Sequence, residues 1–245
     1  MFAPRVALAS LSGRSDADWA RVGEPFVGAA FLGGIAVDEP TREASRALVD
    51  RDRSEFLPPD PLAFVERQFR ALTDADLRPG VNVRSTTVEP VRKVATLCRE
   101  HDAILEINAH CRQPEVIDVG GGHALLRDDD RLTEYVAAAA EARATVSVKV
   151  RTEVEGVDLP ATARRIADAG ADVIHVDAMD SEPVVREVVD ATDAFVIANN
   201  EVRDRESVHE YLSYGADAVS VGRPSDDPRV LRRVNRATTD WFGDR

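Results

Sequence analysis

Asp168-Ala169-Gly170-Ala171-Asp172-Val173-Ile174-His175-Val176 returns in outline as Ser213-Tyr214-Gly215-Ala216-Asp217-Ala218-Val219-Ser220-Val221. Each stretch reads as a helix end, a glycine that closes it, an Ala-Asp step and an apolar strand. A repeated helix-to-strand joint is what a chain of βα units produces. Extending the pattern outward gives eight candidate strands: VALASL (6–11), FVGAAFLGG (26–34), GVNVRS (80–85), AILEINA (103–109), TVSVKVR (145–151), DVIHVDA (172–178), AFVIAN (194–199) and AVSVGR (218–223). Most are apolar on both faces, as parallel strands buried under helices must be. Amphipathic segments such as DRLTEYVAAAAEA, LPATARRIADAG, EPVVREVVDATD and DRESVHEYLSYG lie between them. The expectation is an α/β chain folded as one (β/α)8 TIM barrel over residues 1–245. The competing doubly wound open sheet calls for a G-x-G-x-x-G after the first strand, and none is there.

One stretch breaks the rhythm. Residues 37–60 are densely charged and end at Pro58-Pro59 before a helical pattern at about 61–75. They read as an inserted loop over the barrel mouth, or as a solvated excursion with no role. About 20 residues follow the last strand, enough for one closing helix, so no second, helical RNA-binding domain is expected at the C-terminus.

Composition narrows the function classes. The chain has 44 acidic residues against 31 Lys plus Arg, a net charge of −13, and its cations are 29 Arg and only 2 Lys. Such an acidic, lysine-poor surface resembles halophilic proteins, although a GC-rich genome also favours Arg. It should repel nucleic acid at low ionic strength. No apolar run approaches the roughly 20 residues of a membrane helix, and the N-terminus lacks signal-peptide features, so a soluble, cytoplasmic chain is expected. Two cysteines, Cys98 and Cys111, make neither a disulfide framework nor a four-ligand zinc cage, and the five histidines show no metal-ligand spacing.

In a barrel of this kind chemistry sits at the C-terminal strand ends. Those ends carry Asn82 and Arg84, Asn108 through Arg112, Lys149 and Arg151, Asp177, Asn199-Asn200-Glu201, and Gly222-Arg223. Lys149 interrupts an apolar strand in a chain that otherwise uses Arg. A compact ammonium with three donors suits a confined site, although a lysine snorkelling to the rim gives the same sequence. Cys111 lies at a strand-to-loop joint between His110 and Arg112, where cations favour a thiolate and the thiol can donate a proton. Cys98, inside a helical pattern, reads as a buried small hydrophobe. Asn199-Asn200 and Gly222 suit a phosphate-binding turn, because Asn tolerates left-handed backbone and Gly permits close approach.

Several of these runs resemble the flavin-dependent tRNA-dihydrouridine synthases. EINAHCRQPEVIDVGGGHALLRD (106–128) is similar to that family's D-I-N-x-G-C-P, then V, then G-x-G-A-L-L, and VKVRT (148–152) to V-K-I-R-T. VIANNEV (196–202) parallels V-I-G-N-G-D-I, GADAVSVGR (215–223) parallels G-A-D-G-V-M-I-G-R, and ASLSGRSD (9–16) parallels A-P-M-A-G-V-T-D. The last strands are shared with other flavin barrels such as dihydroorotate dehydrogenases.

The resemblance implies an FMN-dependent oxidoreductase with NADPH as reductant. It implies that Lys149 and Asn82 contact the flavin ring, that Asn199, Asn200, Gly222 and Arg223 hold the cofactor, and that Asn108 and Arg151 lie near flavin and substrate. Cys111 is then the proton donor to a uracil double bond, in tRNA or in a small pyrimidine-like molecule. The departures are equally concrete. Gly-Cys-Pro is here His110-Cys111-Arg112, the family's Gln is Asn82, and the sixth strand carries Asp177 in place of a flavin-binding His, with His175 two residues earlier as the nearest substitute. Pro224 removes a backbone N–H next to the expected phosphate turn. These departures keep a third possibility open, a degenerate barrel without catalysis.

Overall fold

The structure, a computed structural model, describes residues 1–243. Eight parallel strands close into a barrel in chain order: β1 (Val6–Leu8), β2 (Ala29–Ala36), β3 (Arg78–Arg84), β4 (Ile104–Asn108), β5 (Thr145–Arg151), β6 (Val173–Asp177), β7 (Phe195–Asn199) and β8 (Ala218–Val221), with β8 paired back onto β1. Each falls on an expected strand. β2 begins three residues later than its apolar run, because Glu24–Phe26 first makes a 3-10 turn around Pro25.

The repeated joint has a specific cause. Gly170 and Gly215 close their helices with φ of +110° and +97°, a region that favours glycine. The aspartate two residues on accepts a hydrogen bond from the start of the preceding strand. Asp172 Oδ2 takes Val146 N–H at 2.8 Å, and Asp217 Oδ2 takes Val196 N–H at 2.9 Å. The Gly-Ala-Asp step therefore stops a helix and pins the entry of the next strand to its neighbour.

Alternation along the strands separates two cores. Outward residues such as Leu105, Ile107, Val146, Val148, Ile174 and Val176 pack with the helices into the large strand–helix layer. Inward residues near the N-terminal ends form a small apolar floor of Ala7, Ala29, Phe31, Ile104, Val173, Ile197 and Ala218. Further along each strand the inward positions turn polar, and the functional cleft begins there.

The charged segment 37–60 is not a loop throughout. It contains the helix Glu39–Val49, capped by the Asp38 side chain and started by Pro40. Its inward face is Thr41, Ala44, Ser45 and Leu48, too small and too polar to stand out as a hydrophobic stripe. Only the remainder reaches over the mouth, where Phe56 bridges to Ile35 and stacks on Phe64 before Asp60 caps the helix Pro61–Ala71. The last strand is followed by the closing helix Pro228–Gly243. No helix among the described residues is long and apolar enough to cross a membrane.

Candidate active site

A cleft of about 770 Å³ opens at the C-terminal ends of the strands. All nine residues singled out from the sequence border it: Asn82, Asn108, Cys111, Lys149, Arg151, Asn199, Asn200, Gly222 and Arg223. They come from five different strands or the loops that follow them, so the barrel is what assembles them.

Cys111 is seated by its neighbours. Its N–H donates to Asn108 Oδ1 at 3.1 Å, and its carbonyl accepts from His123 N–H at 3.0 Å. Gly122, at φ +54°, presses on it so closely that a Cβ there would lie 2.2 Å from the Cys111 carbonyl oxygen. That contact accounts for the end of the Gly120-Gly121-Gly122 run. Cys98, by contrast, is buried in the helix Val88–Glu100, and burial pushes its thiol pKa well up.

From Cys111 a continuous chain of hydrogen bonds descends into the barrel. Asn108 Nδ2 donates to Asn82 Oδ1 at 2.7 Å, and Asn82 Nδ2 donates to Glu106 Oε1 at 2.8 Å. Glu106 Oε2 meets His175 Nδ1 at 2.6 Å and Ser147 Oγ at 3.3 Å, and His175 Nε2 meets Ser220 Oγ at 2.7 Å. Glu106, His175, Ser147 and Ser220 are wholly buried. His175 therefore cannot replace the missing histidine on the sixth strand: it points inward one layer below the cleft and both ring nitrogens are engaged.

Lys149 and Arg151 project from alternate positions of β5 into the cleft, 2% and 7% exposed. Among the described residues neither side chain has a hydrogen bond or ion pair. Two buried, unpaired cations side by side are costly unless an acceptor arrives. Burial pulls the Lys149 pKa down, while the charges of Glu106 and Asp177 oppose that.

At the mouth, Asp177 lies 3.6 Å from His110. Burial alone would raise the Asp177 carboxyl, but His110 and the charges of Lys149 and Arg151 hold it at about 2. Desolvation takes His110 down to about 4, so that it is neutral near pH 7. On the opposite wall Arg84 makes a buried ion pair with Glu55 at 2.7 Å and a short contact to Ser12 Oγ. Glu55 sits on the segment reaching over the mouth, held from below by Gly13, where a Cβ would lie 2.4 Å from the Ser54 backbone.

The turn after β7 is left-handed at Asn200 and Glu201, with φ of +115° and +51°. The Asn199 and Asn200 side chains donate to the carbonyls of Ser220 and Met179, both at 3.0 Å, and so brace the turn. Gly222 has open space where a Cβ would be, and Arg223 begins the 3-10 turn Arg223–Asp226, with Pro224 in its first turn.

The family model for dihydrouridine synthase matches residues 55–244, more than three quarters of the sequence. The chain belongs to the dihydrouridine synthase family. Uncharacterized protein MJ0144 of Methanocaldococcus jannaschii is 28% identical over 231 residues, covering 89% of this chain and 88% of the relative. Among solved structures, a chain of the tryptophan synthase complex from Pyrococcus furiosus superposes with a TM-score of 0.57 at 12% identity, covering 99% of this chain and 100% of that one. FabK from Thermotoga maritima gives 0.59 at 16% identity, covering 94% of this chain and 60% of that one. At these identities the two structures show the barrel alone.

Glu106, Glu55 and Ser220 were not singled out from the sequence. Glu106 had a signal, since a carboxylate two residues before Asn108 shares its inward face. Glu55 had none, because its partner Arg84 is brought to it only by folding.

Proposed function

We propose that this dihydrouridine synthase-family barrel is an FMN-dependent oxidoreductase that reduces the 5,6 double bond of uracil. The observation that carries the reading is the pairing, within one cleft, of a seated cysteine with two buried cations that lack protein partners. The residues suit FMN. The Lys149 ammonium has donors without acceptors, as a flavin ring requires of its neighbour, and Asn82 retains one amide hydrogen beyond the bond to Glu106. The turn at Asn199–Glu201 together with Gly222 and Arg223 supplies backbone donors and a cation for the phosphate. Asp177, beside His110 and within the field of Lys149 and Arg151, need not repel it.

FMN held by these residues would supply, once reduced, the hydride for one carbon of the uracil double bond. Cys111 gives its thiol proton to the neighbouring carbon, and the thiolate left behind lies within the field of the Arg84 guanidinium. Asn108, held by Asn82 and holding the Cys111 backbone, fixes that cysteine. Arg151 orients the substrate, and NADPH is the reductant in a cytoplasmic setting. The first substrate reading is a uridine of tRNA, after the family. A net charge of −13 favours the second, a small pyrimidine-like molecule.

Single-turnover mixing of the reduced, FMN-loaded protein with unmodified tRNA, and separately with uridine monophosphate, tests both. Rapid flavin reoxidation without oxygen by either one identifies the substrate class. Reoxidation by neither, in protein that holds FMN, contradicts the reading.

A further inference from the structure

The layer of the barrel beneath the cleft holds a carboxylate and a histidine that the proposed chemistry does not use. We infer that Glu106 is a positioning residue: clamped by His175, Asn82 and Ser147, it is the fixed counter-charge that keeps the Lys149 side chain cationic. The inference rests on the flavin reading only for why that charge matters, not for its existence.

Glu106 is wholly buried, and its oxygens accept from Asn82 Nδ2 at 2.8 Å, Ser147 Oγ at 3.3 Å and His175 Nδ1 at 2.6 Å. An ionised carboxylate only accepts, so His175 Nδ1 carries a hydrogen. The Ser220 hydroxyl lies 2.7 Å from His175 Nε2 and has no other acceptor among the described residues, so it donates there. The imidazole is then neutral, in keeping with burial first and the Lys149 charge second, which lower its pKa against the opposing pull of Glu106 and Asp177. The cluster carries one net negative charge that His175 does not cancel. Burying such a charge is tenable only with a cation nearby.

The groups facing Lys149 leave few candidates for that partnership. Asn108 on β4 and His175 on β6 are its register neighbours, Asn82, His110, Arg151 and Asp177 line the same cleft, and Glu106 lies one inward position below Asn108. Only Glu106 and Asp177 are negative. Asp177 sits at the partly open mouth, where Lys149 shares it with His110 and Arg151. Glu106 has no guanidinium against it; the groups that hold its carboxyl low against burial are His175 first and then the charge of Lys149, and with His175 neutral Lys149 is the cation that remains. The direction of the bonds also fixes Glu106 in place: three donors on three different strands hold it, so it cannot turn away when a ligand enters.

The two-lysine composition makes the test direct. In protein labelled with 15N-lysine the Nζ resonances are those of Lys149 and Lys93 alone, and Lys149→Arg assigns them. Their shifts are followed against pH in the full chain, before and after addition of FMN. Lys149 is expected to be cationic at pH 7 without FMN. Glu106→Gln, which keeps the shape and removes the charge, is expected to lower its midpoint by a unit or more, about tenfold or more in the ionisation constant, with Lys93 unmoved. Glu106→Asp should restore most of the shift. Asp177→Asn should move the midpoint less than Glu106→Gln.

An unchanged Lys149 midpoint in folded Glu106→Gln overturns the inference, as does a Lys149 that is neutral at pH 7 in the wild type. Should Glu106→Gln fail to fold, a drop of a unit or more in Asp177→Asn assigns the counter-charge to Asp177 and overturns it equally, whereas a small shift there supports Glu106. Failure to bind FMN with Lys149 cationic and responsive to Glu106 would sink the flavin reading and leave this one standing.

Discussion

The floor of the barrel and the layer above it are built by the same strands, two residues apart. Ile104 gives way to Glu106 on β4, Val173 to His175 on β6, Ile197 to Asn199 on β7, and Ala218 to Ser220 on β8. The floor needs nothing but complementary shape, since its side chains carry no polar atoms. The upper layer is equally buried, and each of its members must find a hydrogen bond or a charge to stay there. It does so except at Lys149 and Arg151, whose donors face the cleft, and at Arg84 Nε, which is buried without a partner. Stability and function are thus stacked along one axis, and the unsatisfied donors mark where a ligand belongs.

That contrast can be broken at several heights. Cys111→Ala at the mouth is expected to have the largest effect, a loss of about 10²–10⁴-fold in substrate reduction with FMN binding retained. Rapid-reaction flavin reoxidation checks it, and a wild-type rate would remove the thiol from the chemistry. Glu55→Ala leaves Arg84 buried without its charge partner and should cost about 3–5 kcal/mol. Urea denaturation measures that loss, and a change below about 1 kcal/mol would mean that Arg84 relaxes toward solvent.

Ile104→Ala in the floor should cost about 2–4 kcal/mol yet leave FMN affinity untouched in the folded fraction. A large affinity loss there would mean that the two layers are not separable.

Acid should act gradually. His110 and His123 are held neutral, both near 4, by desolvation first, with cations around His123 adding to it. Because the unfolded chain takes up these protons first, the stability they confer falls from about pH 6.5 down to about 4. Asp177, held near 2, then contributes a further loss from about pH 4 downward. Urea midpoints across this range should decline throughout, and His123→Gln should flatten the upper part. The smallest effect is expected for Lys93→Ala, whose ammonium is exposed and 4.0 Å from Glu89, with a stability change within about 0.5 kcal/mol.

The barrel was legible because its evidence is local. Apolar strands and the Gly-Ala-Asp joint can be read a few residues at a time, and the structure gives the aspartate in that joint a hydrogen-bonding role. The helix Glu39–Val49 was not legible, since Thr41 and Ser45 do much of its burying and the surrounding charges mask the period. Residues at strand ends could be nominated for the cleft, because the barrel assigns them a common location. What they bond to was out of reach. That Asn82 links Asn108 to Glu106, or that His175 faces Ser220 rather than the cleft, depends on register between strands far apart in sequence. Composition and position singled out the lysine and the cysteine, whereas Glu106, although it occupies the acidic position of the E-I-N run, gave no sign of being the charge beneath them.

The central claim is that the unpaired Lys149 ammonium awaits a flavin. The most direct measurement is an FMN titration followed by absorbance between about 300 and 550 nm and by co-elution, comparing the wild type with Lys149→Met in buffer where both are folded. The account predicts flavin bands that travel with the wild type and are largely lost or weakened in Lys149→Met. Folded wild-type protein that stays colourless with FMN present, or a Lys149→Met variant that binds it equally well, would contradict it.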